Sequence, residues 1–511
     1  MDNKLTLPVI VAVTEGVVSP LPGTTTDTLP QSIYHVSPGS PNSSLDVSPN
    51  SPANTSATLA ERGTLTFEKF VYDSREVTPG AFFIALPGEV TDGHNYIPEA
   101  VARGALACLV RQDWVAQQTT LDPQVSWVVV EETLAAFQKL TAYWRNQFTG
   151  LKVIGVTGSV GKTSTKELMA AVLGQRFQIF KTPKSINTEQ SILPVLLKLQ
   201  ASDQVAVVEM GAGYVLGELE RLCQVARPQI GVVLNVSHSH IGRLKSLENI
   251  ARNKSELVHS LPPASEGGVA VLNGDDARVK AMASQTPARP FFYGLDRSFD
   301  LWASDIVGLG LEGLQFTAHY QGQARQLTLP LLGRHSVHTA LAAIAVGLLC
   351  GMDWPEIEQG LRDRGAQVRL VVLPGYNGST VIDDSYNASA VSSVAALELL
   401  GDIKLAPAGR RLAVLGDMLE LGDFEQEAHY QVGRKAARVV DHLVVVGPLA
   451  RMIGEEARRQ GLAGDKIHFA SSKAEAVEWL HTNLQPDDYL LIKASRGSRL
   501  EEIVEKVRAD R

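Results

Sequence analysis

Cysteine is scarce: Cys108, Cys223 and Cys350 are the only three in 511 residues, too few and too widely spaced for a disulfide framework or a paired-cysteine metal site. This scarcity fits a reducing compartment, and a cytoplasmic protein is expected. Positive charge is in deficit, with 47 Lys+Arg against 55 Asp+Glu and a net charge of −8. Such a chain has no overall field to hold nucleic acid or anionic lipid. Long apolar runs are missing as well. The longest apolar helix candidate, Thr339 to Met352, falls short of the roughly 20 residues that cross a bilayer, so no membrane insertion is expected. The opening MDNKLTLPVIVAVTEG has one lysine before a short apolar run broken by Pro8 and lacks a cleavage site, so no secretory signal is expected.

What the chain does have is globular composition, 44% hydrophobic and 20% charged, over a length that suggests about three domains. One stretch departs from this pattern. Between residues 18 and 57, 26 of 40 residues are Ser, Thr, Pro, Asn or Gly. Such a segment buries too little apolar surface to offset its ordering entropy, and a flexible or extended insertion is expected over 18–62.

Elsewhere short apolar runs alternate with amphipathic stretches, the pattern of an α/β fold. A first set holds FFIAL (82–86), LACLV (106–110) and WVVV (127–130), then a helix through Phe148. A second set, KVIGVT (152–157), QVAVVEM (204–210), IGVVLNV (230–236) and VAVLNGDD (269–276), has the unbroken β-branched runs of parallel strands buried on both faces. A third follows a glycine and charge cluster at 360–369: TVIDDSY, RLAVLGDM, LVVVG, KIHFA and YLLIKAS. This predicts a doubly wound, Rossmann-like sheet.

The second set carries the plainest chemistry. Its first strand, ending at Thr157, runs into Gly158-Ser159-Val160-Gly161-Lys162-Thr163-Ser164, and a helical sequence follows. Strand, glycine loop and helix make a phosphate-binding context, in which backbone N–H groups converge on phosphate oxygens, Lys162 neutralises them and Thr163 can ligate Mg²⁺. Val156 stands where the full motif has its first glycine. Glu209 closes a neighbouring strand, where a carboxylate is as often solvated as metal-bound. By themselves, His240 and Lys254 read as a surface histidine and a solvated lysine.

Together, GSVGKTS, Glu209, Asn235, His240 and Lys254 resemble the central domain of the Mur ligase family, the ATP-dependent amide-bond synthetases of peptidoglycan assembly. RLAVLGDMLELGDFEQEAH (411–429), VIDDSYNAS (381–389) and IKASRGSRLEEIV (492–504) extend the resemblance over nearly the whole chain outside 18–62.

The resemblance implies three domains: an N-terminal uridine-nucleotide-sugar domain over 1–150, a central ATP-binding domain with a mostly parallel sheet over 151–364, and a C-terminal Rossmann-like domain over 365–511. It implies ATP and two Mg²⁺ ions as cofactors, with UDP-N-acetylmuramoyl-tripeptide and D-alanyl-D-alanine as substrates of a monomer. Thr157 to Ser164, Asn273, Arg369 and Asp384 would bind ATP. Asn273 would meet the adenine and Arg369 the γ-phosphate. Thr163, Glu209, His240 and a carbamylated Lys254 would hold metal, and Lys162, Lys254, His240 and Arg369 would be catalytic. Ser74, Arg75 and His94 would cradle the uridine nucleotide. Asn187, Tyr386, Asn387, Lys493, Ser495 and Arg496 would meet the remaining substrate groups. Three alternatives compete: another ligase of the same family with a different amine or acceptor, a nucleotide-driven switch, and a non-catalytic nucleotide-binding scaffold. Intact Lys162, Glu209, His240 and Lys254 argue against the scaffold.

Overall fold

The computed structural model describes residues 5–18, 65–88, 91–211, 215–238, 241–363, 365 and 370–509. The chain divides into two compact units, one of 1–150 with 188–201 and 224–226, the other of the remaining residues from 151 onward.

In the first unit, strands Val17–Val18, Ser126–Val130, Ala107–Arg111, Phe82–Ile84 and Phe70–Val71 form one sheet in that order. All neighbours are parallel except the first pair. Phe82, Phe83, Ile84 and Val110 are fully buried, as expected of runs covered on both faces. Antiparallel pairing of Leu5–Thr6 with Thr66–Phe67, extended by Leu7 N–H donating to Leu65 O at 3.0 Å, ties the opening of the chain to the residues that follow the Ser/Thr/Pro-rich stretch. Apart from Val18, the expected insertion at 18–62 lies outside the described residues.

The second unit contains two sheets. The larger has nine strands in the order Gln323–Leu329, Leu314–Tyr320, Leu301–Gly308, Arg289–Gly294, Val269–Asn273, Ile230–Val233, Lys152–Thr157, Val205–Glu209, Ile179–Lys181. Its last seven are parallel, while the first two extend it as an antiparallel meander. The sequence reading did not anticipate this meander. Its strands alternate in burial, with Leu314, Phe316 and Ala318 buried and the residues between them partly open, so they lack the unbroken apolar runs of their parallel neighbours. The apolar helix spans Ser336–Leu349, three residues earlier than the sequence pattern suggests. It packs with the helix Lys162–Leu173 in one continuous core.

The six-stranded sheet runs Val371–Pro374, Thr380–Asp384, Tyr489–Lys493, Arg411–Gly416, His442–Val446, Ile467–Ala470, antiparallel only at the first pair. Alternate residues enter two separate cores. Ala413, Leu415, Leu443, Val445 and Leu491 face one, and Leu412, Val414, Val444, Leu490 and Ile492 face the other. Period-two side chains covered on both faces explain the uninterrupted apolar runs.

Asp488 anchors this sheet. Fully buried, it accepts from Arg410 Nε at 3.1 Å, Arg410 Nη2 at 2.6 Å and the Gln485 N–H at 2.8 Å. Removing one partner of such a pair leaves an uncompensated charge, so Asp488→Ala is expected to cost about 3–5 kcal/mol. Denaturant titration monitored on this unit reads that loss; a cost under about 1 kcal/mol contradicts an anchoring role.

Candidate functional site

The chain's phosphate loop is built by the middle of the larger sheet. Parallel register sets Val233 opposite Thr157 and Glu209 opposite Val156, so three strands end together at one edge. The loop leaves Thr157 there, and Gly161 at φ +87° turns it into the helix beginning at Lys162. Only glycine adopts that conformation without cost, and the helix N-terminus presents its unsatisfied N–H groups to the same edge.

Asn235 shapes the loop from the next strand, a role for which the sequence pattern offered no physical reason. Its carbonyl accepts from Ser159 N–H at 3.0 Å, its Oδ1 accepts from Val160 N–H at 2.9 Å and its Nδ2 donates to Val160 O at 3.0 Å. Lys162 Nζ donates to Gly158 O at 2.7 Å. Thr163 and Ser164, in the first turn, are half-buried.

Glu209 is 1% exposed. Asn187 Nδ2 donates to its Oε1 at 2.7 Å, and its own N–H donates to Thr182 Oγ1 at 3.0 Å. Its Oε2 is buried without a hydrogen-bond partner, an acceptor that a bound cation would satisfy. Gly211 lets Asn187 approach, since a Cβ there would meet the Asn187 Cγ at 2.6 Å. Among the described residues no three or more His, Cys, Asp or Glu side chains converge on one point. Magnesium suits such a place because it takes one or two carboxylates and completes its shell with phosphate and water oxygens.

Lys254 is not the solvated lysine of its charged helix, Leu247–His259: it is 3% exposed. Burial first, then the charge of Lys162, pushes its pKa down to about 7. Two lysines thus act on one place, where a polyphosphate would relieve their repulsion. Asn273, also buried, donates to Leu234 O at 2.8 Å and accepts from Asp275 N–H at 3.1 Å, bracing the loop ends along the same edge. His240 and Arg369 lie outside the described residues.

A second group gathers at the carboxyl edge of the six-stranded sheet. The parallel register pairs Asp384 with Lys493, whose Nζ meets Asp384 Oδ2 at 2.5 Å and Asn387 O at 2.8 Å. Arg496 donates to the Tyr386 hydroxyl at 2.9 Å and lies over its ring. Ser495 Oγ accepts from Leu419 N–H at 2.9 Å. The two groups meet where the Tyr386 hydroxyl hydrogen-bonds Ser185 Oγ, two residues before Asn187. Nearby segments also touch, with His238 stacked on Phe424 at 3.7 Å and Gly242 N–H donating to Glu420 O.

In the first unit, Ser74 Oγ donates to Glu99 Oε2 at 2.8 Å. Arg75 is exposed and paired with Asp73. His94 is 2% exposed. Its Nε2 accepts from Arg111 N–H at 3.0 Å, so Nδ1 carries the proton toward Asp92 Oδ1 at 2.6 Å. That histidine holds its loop in place through both ring nitrogens.

Three family descriptions match successive parts of the chain: "Mur ligase family, catalytic domain" over 68–144, "Mur ligase middle domain" over 156–347 and "Mur ligase, glutamate ligase domain" over 368–496. A UDP-N-acetylmuramoyl-tripeptide–D-alanyl-D-alanine ligase from Synechocystis is 36% identical over 444 residues, covering 86% of this chain and 91% of that protein. A crystal structure of MurF from Acinetobacter baumannii matches with a TM-score of 0.79 and 27% identity, covering 98% of both chains. MurF ligase from Thermotoga maritima, solved with ADP, matches at 0.72 and 26%, over 86% of this chain and 96% of that one.

Burial of Lys254 has a pH signature. Its folded pKa near 7 lies below the ordinary 10.5, so between those values the unfolded chain binds more protons and stability rises with pH. Lys254→Met is expected to raise the thermal midpoint near pH 7.5 in CO₂-depleted buffer and to flatten the dependence up to about pH 10. A fall in midpoint at pH 7.5 with an unchanged pH slope contradicts this.

Proposed function

The chain belongs to the Mur ligase family, and on that premise we propose that it joins D-alanyl-D-alanine to UDP-N-acetylmuramoyl-tripeptide, converting ATP to ADP and phosphate in cytoplasmic peptidoglycan assembly. The observation that carries this reading is the glycine loop Gly158 to Ser164 leaving the larger sheet at the same edge as buried Glu209, whose Oε2 has no hydrogen-bond partner. The relatives named for this reaction support the choice of substrates. Cytoplasmic residence agrees with three free cysteines, two of them with thiol pKa values pushed up to about 12 by burial. The enzyme acts as a monomer.

A carboxylate does not condense with an amine in water without activation. The γ-phosphoryl group therefore passes to the terminal carboxylate of the tripeptide, the resulting acyl phosphate is attacked by the dipeptide amine, and phosphate leaves. The residues Thr157 to Ser164 hold the polyphosphate, and Lys162 draws charge from the transferring group. Asn273 would meet the adenine, Arg369 would serve the γ-phosphate, and Asp384 would lie on the nucleotide side of the second sheet.

Thr163, Glu209, His240 and Lys254 would hold magnesium, and the unpartnered Oε2 of Glu209 fits that role. When bound, two such ions would neutralise phosphate charge. A lysine with a pKa near 7 has a large neutral fraction at pH 7.5, the form that reacts with CO₂, and Lys254 acts as its carbamate. Asn187, Tyr386, Asn387, Lys493, Ser495 and Arg496 receive the tripeptide end and the dipeptide, while Ser74, Arg75 and the loop held by His94 receive the uridine nucleotide.

Phosphate release from Mg·ATP is expected to require both UDP-N-acetylmuramoyl-tripeptide and D-alanyl-D-alanine, with a product heavier than the acceptor by the dipeptide less water. Lys162→Ala is expected to lower turnover at least about 100-fold. Release without the amine and without conjugate would instead indicate a nucleotide switch, whereas conjugation of another amine alone would refute the substrate assignment.

A further inference from the structure

Lys166 lies one helical turn beyond Lys162 and is fully buried, a costly position for an ammonium group unless its charge is used. Its Nζ lies 2.7 Å from Thr182 O, 2.5 Å from Lys184 O and 2.9 Å from Glu167 Oε1. These contacts use all three of its protons. Glu209 Oε2 lies 3.8 Å from the same nitrogen, too far for a hydrogen bond yet close enough for strong attraction in a buried setting. The carboxylate thus has a cation beside it, while the Oε2 atom keeps both lone pairs unclaimed.

We propose that Lys166 is a positioning residue for the ligase reaction: it compensates the buried charge of Glu209 without occupying Oε2, and it pins the segment carrying Ser185 and Asn187. The inference deepens the proposed function and rests on Glu209 as a magnesium ligand. The pinned segment serves both groups of site residues, because Asn187 orients Glu209 and Ser185 meets Tyr386. Lys184 adopts φ +51° between the two anchored carbonyl regions, a conformation that a non-glycine residue keeps only when its surroundings hold it. Glu167 is the nearer carboxylate, but Lys181 also pairs with it at 2.5 Å, so its charge stays compensated when Lys166 is lost.

A double-mutant cycle on the full chain, read by thermal unfolding without nucleotide or Mg²⁺, tests this. Lys166→Met is expected to lower the midpoint by about 5 to 10 °C. Adding Glu209→Gln should recover about half of that loss, whereas Glu209→Gln alone should not raise the midpoint. Adding Glu167→Gln should recover little. If Lys166→Met yields no folded protein, restoration of folded protein by Glu209→Gln supports the proposal, and failure to restore it overturns the proposal. Strictly additive losses would show that the lysine only ties down backbone, and would also overturn it. The metal reading is tested separately: Glu209→Gln with wild-type Mg²⁺-dependent turnover and unchanged Mn²⁺·ADP binding by electron paramagnetic resonance would refute Glu209 as a ligand, without touching the charge coupling.

Discussion

The site depends on the parallel register around Lys152–Thr157. Held between Val205–Glu209 and Ile230–Val233, that strand ends within one residue of its neighbours. Three loops are thereby forced out at a single edge, the usual position of ligands in open α/β sheets. The glycine loop, Glu209 and Asn235 need no long side chains to meet, because backbone pairing has already delivered them. Burial of the surrounding strands then makes each charge at that edge expensive and therefore specific.

The charges are arranged accordingly. Glu209 is held by Asn187 on one oxygen and faces Lys166 from a distance on the other. Burial and the nearby charge of Lys162 together lower the pKa of Lys254. A flexible, solvated site would screen these effects. Low exposure of Glu209, Lys166 and Lys254 keeps them strong.

The six-stranded sheet repeats the device. Parallel register sets Asp384 beside Lys493, and the loops after those strands carry Tyr386, Asn387, Ser495 and Arg496 to one edge. The hydrogen bond between Tyr386 and Ser185, with the stacking of His238 on Phe424, joins this edge to the phosphate-loop side. The two groups of side chains are thus connected through a few contacts.

The parallel strands and the phosphate loop are legible in the amino-acid sequence alone. KVIGVT, RLAVLG and LVVVG are apolar on consecutive positions because both sheet faces are covered, a local pattern that needs no partner to be read. The loop was legible for the same reason, since glycine, lysine and hydroxyl must be adjacent to enclose phosphate. Only the tertiary structure decided the rest. Lys254 sits on a charged helix and Lys166 in the polar run TSTKE of its own helix, so nothing local distinguishes either from a solvated lysine. The meander over 301–329 escaped because one-sided strands alternate polar with apolar residues. Burial, and the electrostatics it creates, comes from segments far apart in the chain, and pairing between those segments is what sequence periodicity does not encode.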